Sequence, residues 1–194
     1  LDGDHLVATV TDVSGKGVGA GMIASGIHSS VRLLSQTENS LDGLALRINS
    51  YLVGATEDNR FATFAMVRLA PDGRLTAVNA GHCPVLIRRR DGAIEQIHSS
   101  GLPLGIMEAA VYTESVDHLD PGDLLLLYTD GLTEAENPEE EEFGVERVEK
   151  AVADLDCPSA ESACGDLMDA VNDFSCGRPL VDDATLLVVE RLSG

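Results

Sequence analysis

Three separated aspartate elements are the groups in this chain most able to do chemistry together. Asp12 ends the apolar run HLVATVTD, Asp130 ends LLLLYTD just before Gly131, and the pair Asp182 and Asp183 opens DDATLLVV. Runs this short, rich in Val, Thr and Leu, predict buried strands rather than helices. Two strands ending in a carboxylate and one starting with a carboxylate pair can share a rim, if the third runs antiparallel to the others. Carboxylates gathered on one rim repel unless protons or cations intervene. Hard divalent cations with oxygen ligands, Mg²⁺ or Mn²⁺, meet that need.

Other polar residues are weaker candidates on their own. Lys16, in the turn SGKGVGAG, could steer or bind a phosphate, although a lone exposed lysine is usually surface. His82, in NAGH, is tempting as an acid, but a histidine in a turn between strands more often holds neighbouring backbone. Cys83 follows it, yet neighbours along a strand face opposite sides and do not form a Cys–His nucleophile pair. Arg88, Arg89 and Arg90 form the one basic run. It could grip an acidic or phosphorylated partner, or be a solvated hairpin arm.

Gly15, Gly17 and Ala20 fit GxGxxA between a strand and a helix, with Glu38 near the distance of a ribose-binding acid. The antiparallel pattern that follows and the polar loop around Glu38 argue against a dinucleotide site. A Walker loop is excluded too, because its upstream Gly is absent and Gly17 stands where Ser or Thr belongs. The glycines do allow backbone to approach a metal and its waters, with the Val13 carbonyl as an oxygen ligand. Cys83, Cys157, Cys164 and Cys176 have no zinc-type spacing and read as free cytosolic thiols.

The elements that must position these groups follow from periodicity. A strand is predicted over 5–12. Ile23, Ile27, Val31 and Leu34 predict a helix over 19–35, and Ser40 can cap a second helix with the apolar face Leu41, Leu44, Ile48 and Leu52. From Phe61 the period becomes two. FATFAMVRL, RLTAVNA, PVLIRRR and AIEQI read as consecutive antiparallel strands joined by tight turns, and VYTESVDHL as a further strand. DPGD then turns the chain into LLLLYTD, a central buried strand. EEEE at 139–142 is a solvated loop or helix start. GVERVEKAVADL and SAESACGDLMDAVNDF predict two helices, and ATLLVVERL a last strand. This block order indicates an α+β fold, with helix pairs against antiparallel sheets in a layered sandwich.

The chain has 194 residues, about one domain, and 44% are hydrophobic, enough for a core. With no Trp and 4% aromatics, aliphatic side chains must fill it. A net charge of −20 argues against nucleic acid or an anionic membrane surface as partner. No apolar stretch approaches a membrane span, and no secretory leader is visible, so a cytoplasmic location is expected. The chain opens at Leu1 inside LDGDH, which reads as a hairpin turn, so residues upstream of it are expected.

Five motifs in order give a family likeness: DVSGKG at 12–17, NAGH at 79–82, LPLGI at 102–106, YTDGLTEAEN at 128–137 with FG at 143–144, and DDATLLVV at 182–189. Together they resemble the metal-dependent Ser/Thr protein phosphatases of the PPM superfamily. The bacterial branch typified by stage II sporulation protein E and the stress-response sigma-regulator phosphatases is the closer one. The resemblance spans nearly the whole chain, and implies a single phosphatase domain over 1–194 that lacks its N-terminal strand. It implies an α-β-β-α sandwich of two antiparallel sheets flanked by helix pairs, holding two Mn²⁺ or Mg²⁺ ions at one end. The family's bridging aspartate falls on Asp12, with the Val13 carbonyl as a further ligand. The TDG aspartate falls on Asp130 and the last on Asp182, with Asp183 as its alternative or supporting partner. Thr133, Glu134 and Glu136 would shape the loop of the metal site.

An isolated aspartate at a strand end is more often a turn or cap residue; the ordered motif set is what argues for function. Two departures from the family pattern stand out. The branch carries an acidic motif, GGD-x-x-D, on a strand that would precede Leu1, and Asp2 and Asp4 are poor substitutes. Ser14 stands where animal-type members carry a His two residues after the first aspartate. The implied reaction is hydrolysis of a phosphomonoester by a water activated between two metals about 4 Å apart, without a phosphoenzyme. The implied substrate is a phosphorylated regulatory protein, a STAS-domain anti-sigma-factor antagonist, with a sensor domain upstream in the same polypeptide. The rival from another class is a pseudophosphatase that docks a partner without turnover.

Overall fold

The computed structural model describes residues 5–55, 60–156 and 159–192; Asp2, Asp4 and Cys157 lie outside the described residues. In chain order the elements are β1 (Leu6–Val13), α1 (Val18–Leu34), α2 (Leu41–Ala55), β2 (Ala62–Leu69), β3 (Arg74–Ala80), β4 (Val85–Arg88), β5 (Ile94–Ile97), β6 (Ser115–His118), β7 (Leu124–Tyr128), α3 (Asp130–Thr133), α4 (Gly144–Ala153), α5 (Ala160–Ser175) and β8 (Leu186–Glu190). They form two compact units, Leu1–Pro84 with His98–His118, and Val85–Ile97 with Leu119–Gly194. Each holds one four-stranded sheet whose ladders are all antiparallel. The fold is α+β, and the βαβ frame of a dinucleotide site is missing from these ladders.

In the first unit the sheet order is β1-β2-β3-β6. Phe64, Met66, Val78 and Ala80 alternate onto the sheet face that α1 and α2 cover. They form one core with Ile27 and Val31 of α1 and Leu44, Ile48 and Leu52 of α2, so the helical spacing marked the buried stripes correctly. Ser40 caps α2 as expected, its Oγ accepting the Gly43 N–H at 3.2 Å. The Leu41 N–H is taken by a carboxylate oxygen of Glu114. Strand β6 is shorter than its alternating sequence because Tyr112 turns into the core and Thr113 bonds Ser100 Oγ instead of a ladder.

The run of strands expected as one meander divides between the sheets. Strand β3 pairs with β2 and β6, whereas β4 pairs with β5 and β7. Asn79 makes the break: its Oδ1 accepts the His82 N–H at 2.9 Å and its Nδ2 donates to the Cys83 carbonyl at 3.0 Å. Gly81 between them has φ +68°, which a side chain disfavours.

In the second unit the order is β5-β4-β7-β8. Strand β7 is central, and none of its residues is more than 1% exposed. Each of its leucines contributes about 2 kcal/mol of transfer free energy. Val148 and Val152 of α4 and Leu167 and Val171 of α5 are buried. Ser159 and Ser162 bond reciprocally to cap α5.

Two arginines of the basic run, Arg88 and Arg89, are engaged within their own unit, whereas the Arg90 side chain is exposed. Arg88 is buried, and its Nε and Nη2 donate to the Val152 and Leu155 carbonyls at the end of α4, at 2.8 and 2.6 Å. Arg89 pairs with Glu95 at 2.6 Å and with the buried Asp123 at 3.1 Å. Asp123 also accepts the Arg90 and Asp120 N–H groups, tying the β4–β5 hairpin to the DPGD turn. Among the described residues no helix is long and apolar enough to cross a membrane.

Candidate functional site

The first unit carries Asp12, Val13 and Lys16. Asp12 lies one residue before the end of β1, opposite Thr63 of β2. Just beyond, the Ser14 N–H donates to the Phe61 carbonyl at 2.9 Å, and Ser14 Oγ accepts the Phe61 N–H at 3.0 Å. Ser14 therefore closes the ladder, a structural task. Gly15 and Gly17 follow with φ +93° and +82°, and a Cβ on either would meet nothing within 4 Å. Conformation, not crowding, requires glycine there, and the turn leaves Lys16 exposed.

His82 is held rather than displayed. It is 7% exposed, its Nδ1 lies 2.7 Å from Thr63 Oγ1, and its N–H bonds Asn79. Its ring bonds a neighbouring side-chain hydroxyl, that of Thr63.

One cation near Asp12 escaped the sequence analysis. Arg60 lies directly before Phe61, the residue bonded to Ser14, and its guanidinium rests on the first turn of α1. A Cβ on Gly19 would stand 2.8 Å from Arg60 Nη1. That nitrogen is buried and has no hydrogen-bond partner among the described residues. The available signal was positional: an arginine two residues before the strand that pairs with the Asp12 strand.

The second unit brings Asp130, Asp182 and Asp183 to neighbouring chain positions. Strand β8 runs antiparallel to β7, with Leu186 opposite Tyr128, as the shared-rim argument requires of a last strand. Thr129 is the joint. Its N–H donates to the Thr185 carbonyl at 3.0 Å, its Oγ1 accepts the Thr185 N–H at 2.8 Å and donates to the Asp183 carbonyl at 3.2 Å. Asp130 then starts α3, a single turn that the sequence analysis did not anticipate. Its carbonyl accepts the Glu134 N–H and the Thr133 hydroxyl. Asn137 organises the 139–142 loop, its Oδ1 accepting the Glu139 and Glu141 N–H groups.

The half-buried Asp130 carboxylate makes no hydrogen bond or ion pair among the described residues. Asp182 Oδ1 accepts the Asp183 N–H at 2.8 Å, and both residues are exposed. Within either unit, no three His, Cys, Asp or Glu side chains among the described residues group closely enough to enclose a metal. The donor chemistry nevertheless fits a hard cation: carboxylate and carbonyl oxygens, with one carboxylate left unengaged by protein. Softer ligands do not converge. Cys83, Cys164 and Cys176 form no disulfide among the described residues, and burial pushes the Cys164 thiol above its ordinary pKa, away from the reactive thiolate.

Comparisons with known proteins give the family and the fold. The family model of Stage II sporulation protein E (SpoIIE) matches residues 2–192. Protein IcfG of Synechocystis sp. is 29% identical over 225 residues, covering 98% of this chain and 34% of IcfG. Phosphoserine phosphatase RsbU of Bacillus subtilis is 27% identical over 197 residues, covering 98% of this chain and 57% of RsbU. The chain thus spans between a third and three-fifths of these curated relatives. Among solved structures, the PP2C phosphatase domain of SpoIIE from Bacillus subtilis superposes with TM-score 0.82 at 23% identity, over 96% of this chain and 54% of that one. The catalytic domain of the serine/threonine protein phosphatase PstP, in complex with two manganese ions, gives 0.70 at 18% identity, over 96% of this chain and 88% of that one. The fold is that of PP2C phosphatase domains.

Proposed function

We propose, for a chain that belongs to the Stage II sporulation protein E (SpoIIE) family, the activity of a metal-dependent protein serine/threonine phosphatase. The unengaged Asp130 carboxylate, at the end of a fully buried central strand, is the observation that carries this reading. A carboxylate that no protein group engages is open to serve as an oxygen ligand to a hard cation.

Asp12, the Val13 carbonyl, Asp130 and Asp182, with Asp183 as its alternative, are the oxygens that would hold two Mn²⁺ or Mg²⁺ ions. When bound, such ions neutralise a phosphoryl dianion and supply an activated water. The chain's own groups do the rest. Thr129 and Gly131 set where Asp130 stands relative to the 182–183 backbone. Lys16 and Arg60 are the cations flanking the Asp12 turn, suited to orient the phosphoryl oxygens. His82 keeps the fold around Thr63 and takes no proton in this scheme.

The substrate is a phosphoserine or phosphothreonine on a bacterial regulatory protein, of the STAS-domain anti-sigma-factor antagonist type. The similarity to a phosphoserine phosphatase, RsbU, supports that choice. The polypeptide works in the cytoplasm, with a sensor domain upstream of residues 1–194. Phosphate release from a phosphorylated antagonist protein, compared with a generic aryl phosphate under Mn²⁺, tests the substrate. Preference for the phosphoprotein supports it, and release from the aryl phosphate alone overturns it.

A further inference from the structure

Strand register gives the NAGH turn a task beyond dividing the strands. Ala8, Val10 and Asp12 of β1 lie opposite Val67, Ala65 and Thr63 of β2, so their side chains share one sheet face, the one turned away from α1 and α2. Asn79 of β3 lies opposite Ala65 and joins that face. Ala8, Val10, Ala65 and Val67 are buried there. At one rim the face turns polar, with Asp12, Thr63 and Asn79.

The turn after β3 reaches back to that rim. Asn79 Oδ1 holds the His82 N–H, and the His82 ring then spans to β2, where Nδ1 and Thr63 Oγ1 share a hydrogen bond of 2.7 Å. The Thr63 carbonyl accepts the Thr11 hydroxyl at 2.7 Å, which fastens β2 to β1 one residue before Asp12. A polar ring is costly to bury unless it is bonded. This one, 7% exposed, is committed to the residue that faces Asp12 across the ladder. Side chains directly opposed in such a ladder have Cβ atoms about 5 Å apart, so the Thr63 hydroxyl is a close neighbour of the Asp12 carboxylate.

We propose that His82 and Thr63 are a positioning pair for Asp12: His82 fixes the Thr63 hydroxyl, and that hydroxyl orients the Asp12 carboxylate for a hard cation. A hydroxyl carries one proton and two lone pairs. With His82 Nδ1–H donating to Thr63 Oγ1, the Thr63 proton is left for the carboxylate. Neither residue touches metal or substrate; both act through Asp12, as the hydrogen-bonding neighbours of metal ligands commonly do. Their role rests on the reading of Asp12 as a metal ligand. It also explains why the turn sequence carries both an Asn and a His: Asn79 aims His82, and His82 aims Thr63.

The test measures Mn²⁺ affinity directly, from the paramagnetic resonance signal of the free ion, with urea unfolding of each variant beside it. Thr63→Val keeps a strand-forming shape and removes the hydroxyl; it should weaken Mn²⁺ binding about tenfold or more. Thr63→Ser restores the hydroxyl and should bind near the wild-type level. Adding His82→Gln to Thr63→Val should cost little more, because members of one hydrogen-bonded chain are not additive. A merely structural pair would lower the urea midpoint and leave the affinity of the folded protein unmoved. Unchanged affinity in Thr63→Val, with Asp12→Asn weakened, would overturn the pair and leave the metal reading standing. Equal losses in Thr63→Val and Thr63→Ser, or losses from Thr63 and His82 that simply add, would overturn it as well. Wild-type protein that takes up no Mn²⁺, or an Asp12→Asn variant that binds like wild type, would overturn the metal reading and the pair with it.

Discussion

Gly131 packs on the backbone of Asp183: a Cβ on Gly131 would stand 2.5 Å from the Asp183 carbonyl oxygen and 2.8 Å from its carbonyl carbon. With the Thr129 hydroxyl bonded to the same carbonyl, this contact fixes the chain on which Asp130 stands against the chain that carries Asp182 and Asp183.

Gly131→Ala must therefore push two backbones apart. Overpacking of this kind costs about 1–3 kcal/mol, read as a lower midpoint in urea unfolding. Because the two segments are proposed to serve one centre, phosphate release should fall further than the folded fraction does. A loss of activity that only tracks the folded fraction would make the contact purely structural.

Arg88 offers a stability test away from that centre. Its buried guanidinium is the partner of the Val152 and Leu155 carbonyls. Arg88→Ala should destabilise by about 3 kcal/mol or more, from unpaired carbonyls and lost packing. Arg88→Lys should recover little, since one ammonium cannot follow a forked geometry. Equilibrium urea unfolding of the three proteins decides this.

Tyr112 gives the chain an alkaline signature. Burial pushes its phenol from the ordinary 10.0 up to about 12. The folded state thus favours the neutral form. That contribution is intact below pH 10 and is lost as pH rises through about 12. The Tyr112 hydroxyl has no hydrogen-bond partner among the described residues. Tyr112→Phe should then hold stability level or raise it by about 1 kcal/mol, and remove a high-titrating phenol from the ultraviolet difference spectrum. A destabilised variant would mean that the hydroxyl has a partner.

Much of this was legible in the sequence, for physical reasons that differ by element. Helix α1 was placed within a residue at each end because Ile27 and Val31 recur at helical spacing against a single core. The Asp130 and Asp182–Asp183 elements came together because β7 and β8 are short apolar runs with carboxylates at the ends that antiparallel pairing aligns. The division of the strands between two sheets was not legible. A period of two looks the same whichever partner a strand chooses, and one side chain, Asn79, makes the break. Three consecutive arginines read as a partner grip or a solvated arm because charge is usually exposed, and nothing local showed that the end of α4 would need Arg88. Arg60 was missed because its setting is created by Gly19, distant in sequence.

The central claim is tested most directly by phosphate release from a phosphoserine protein while Mn²⁺ is titrated into the metal-free protein, beside Asp130→Asn. Turnover that rises with Mn²⁺, stops with EDTA and falls by about a thousandfold or more in the folded Asp130→Asn variant is the predicted result. Turnover unaffected by EDTA, or retained by Asp130→Asn at wild-type level, would contradict it. Silence from the wild-type chain would point instead to a docking module.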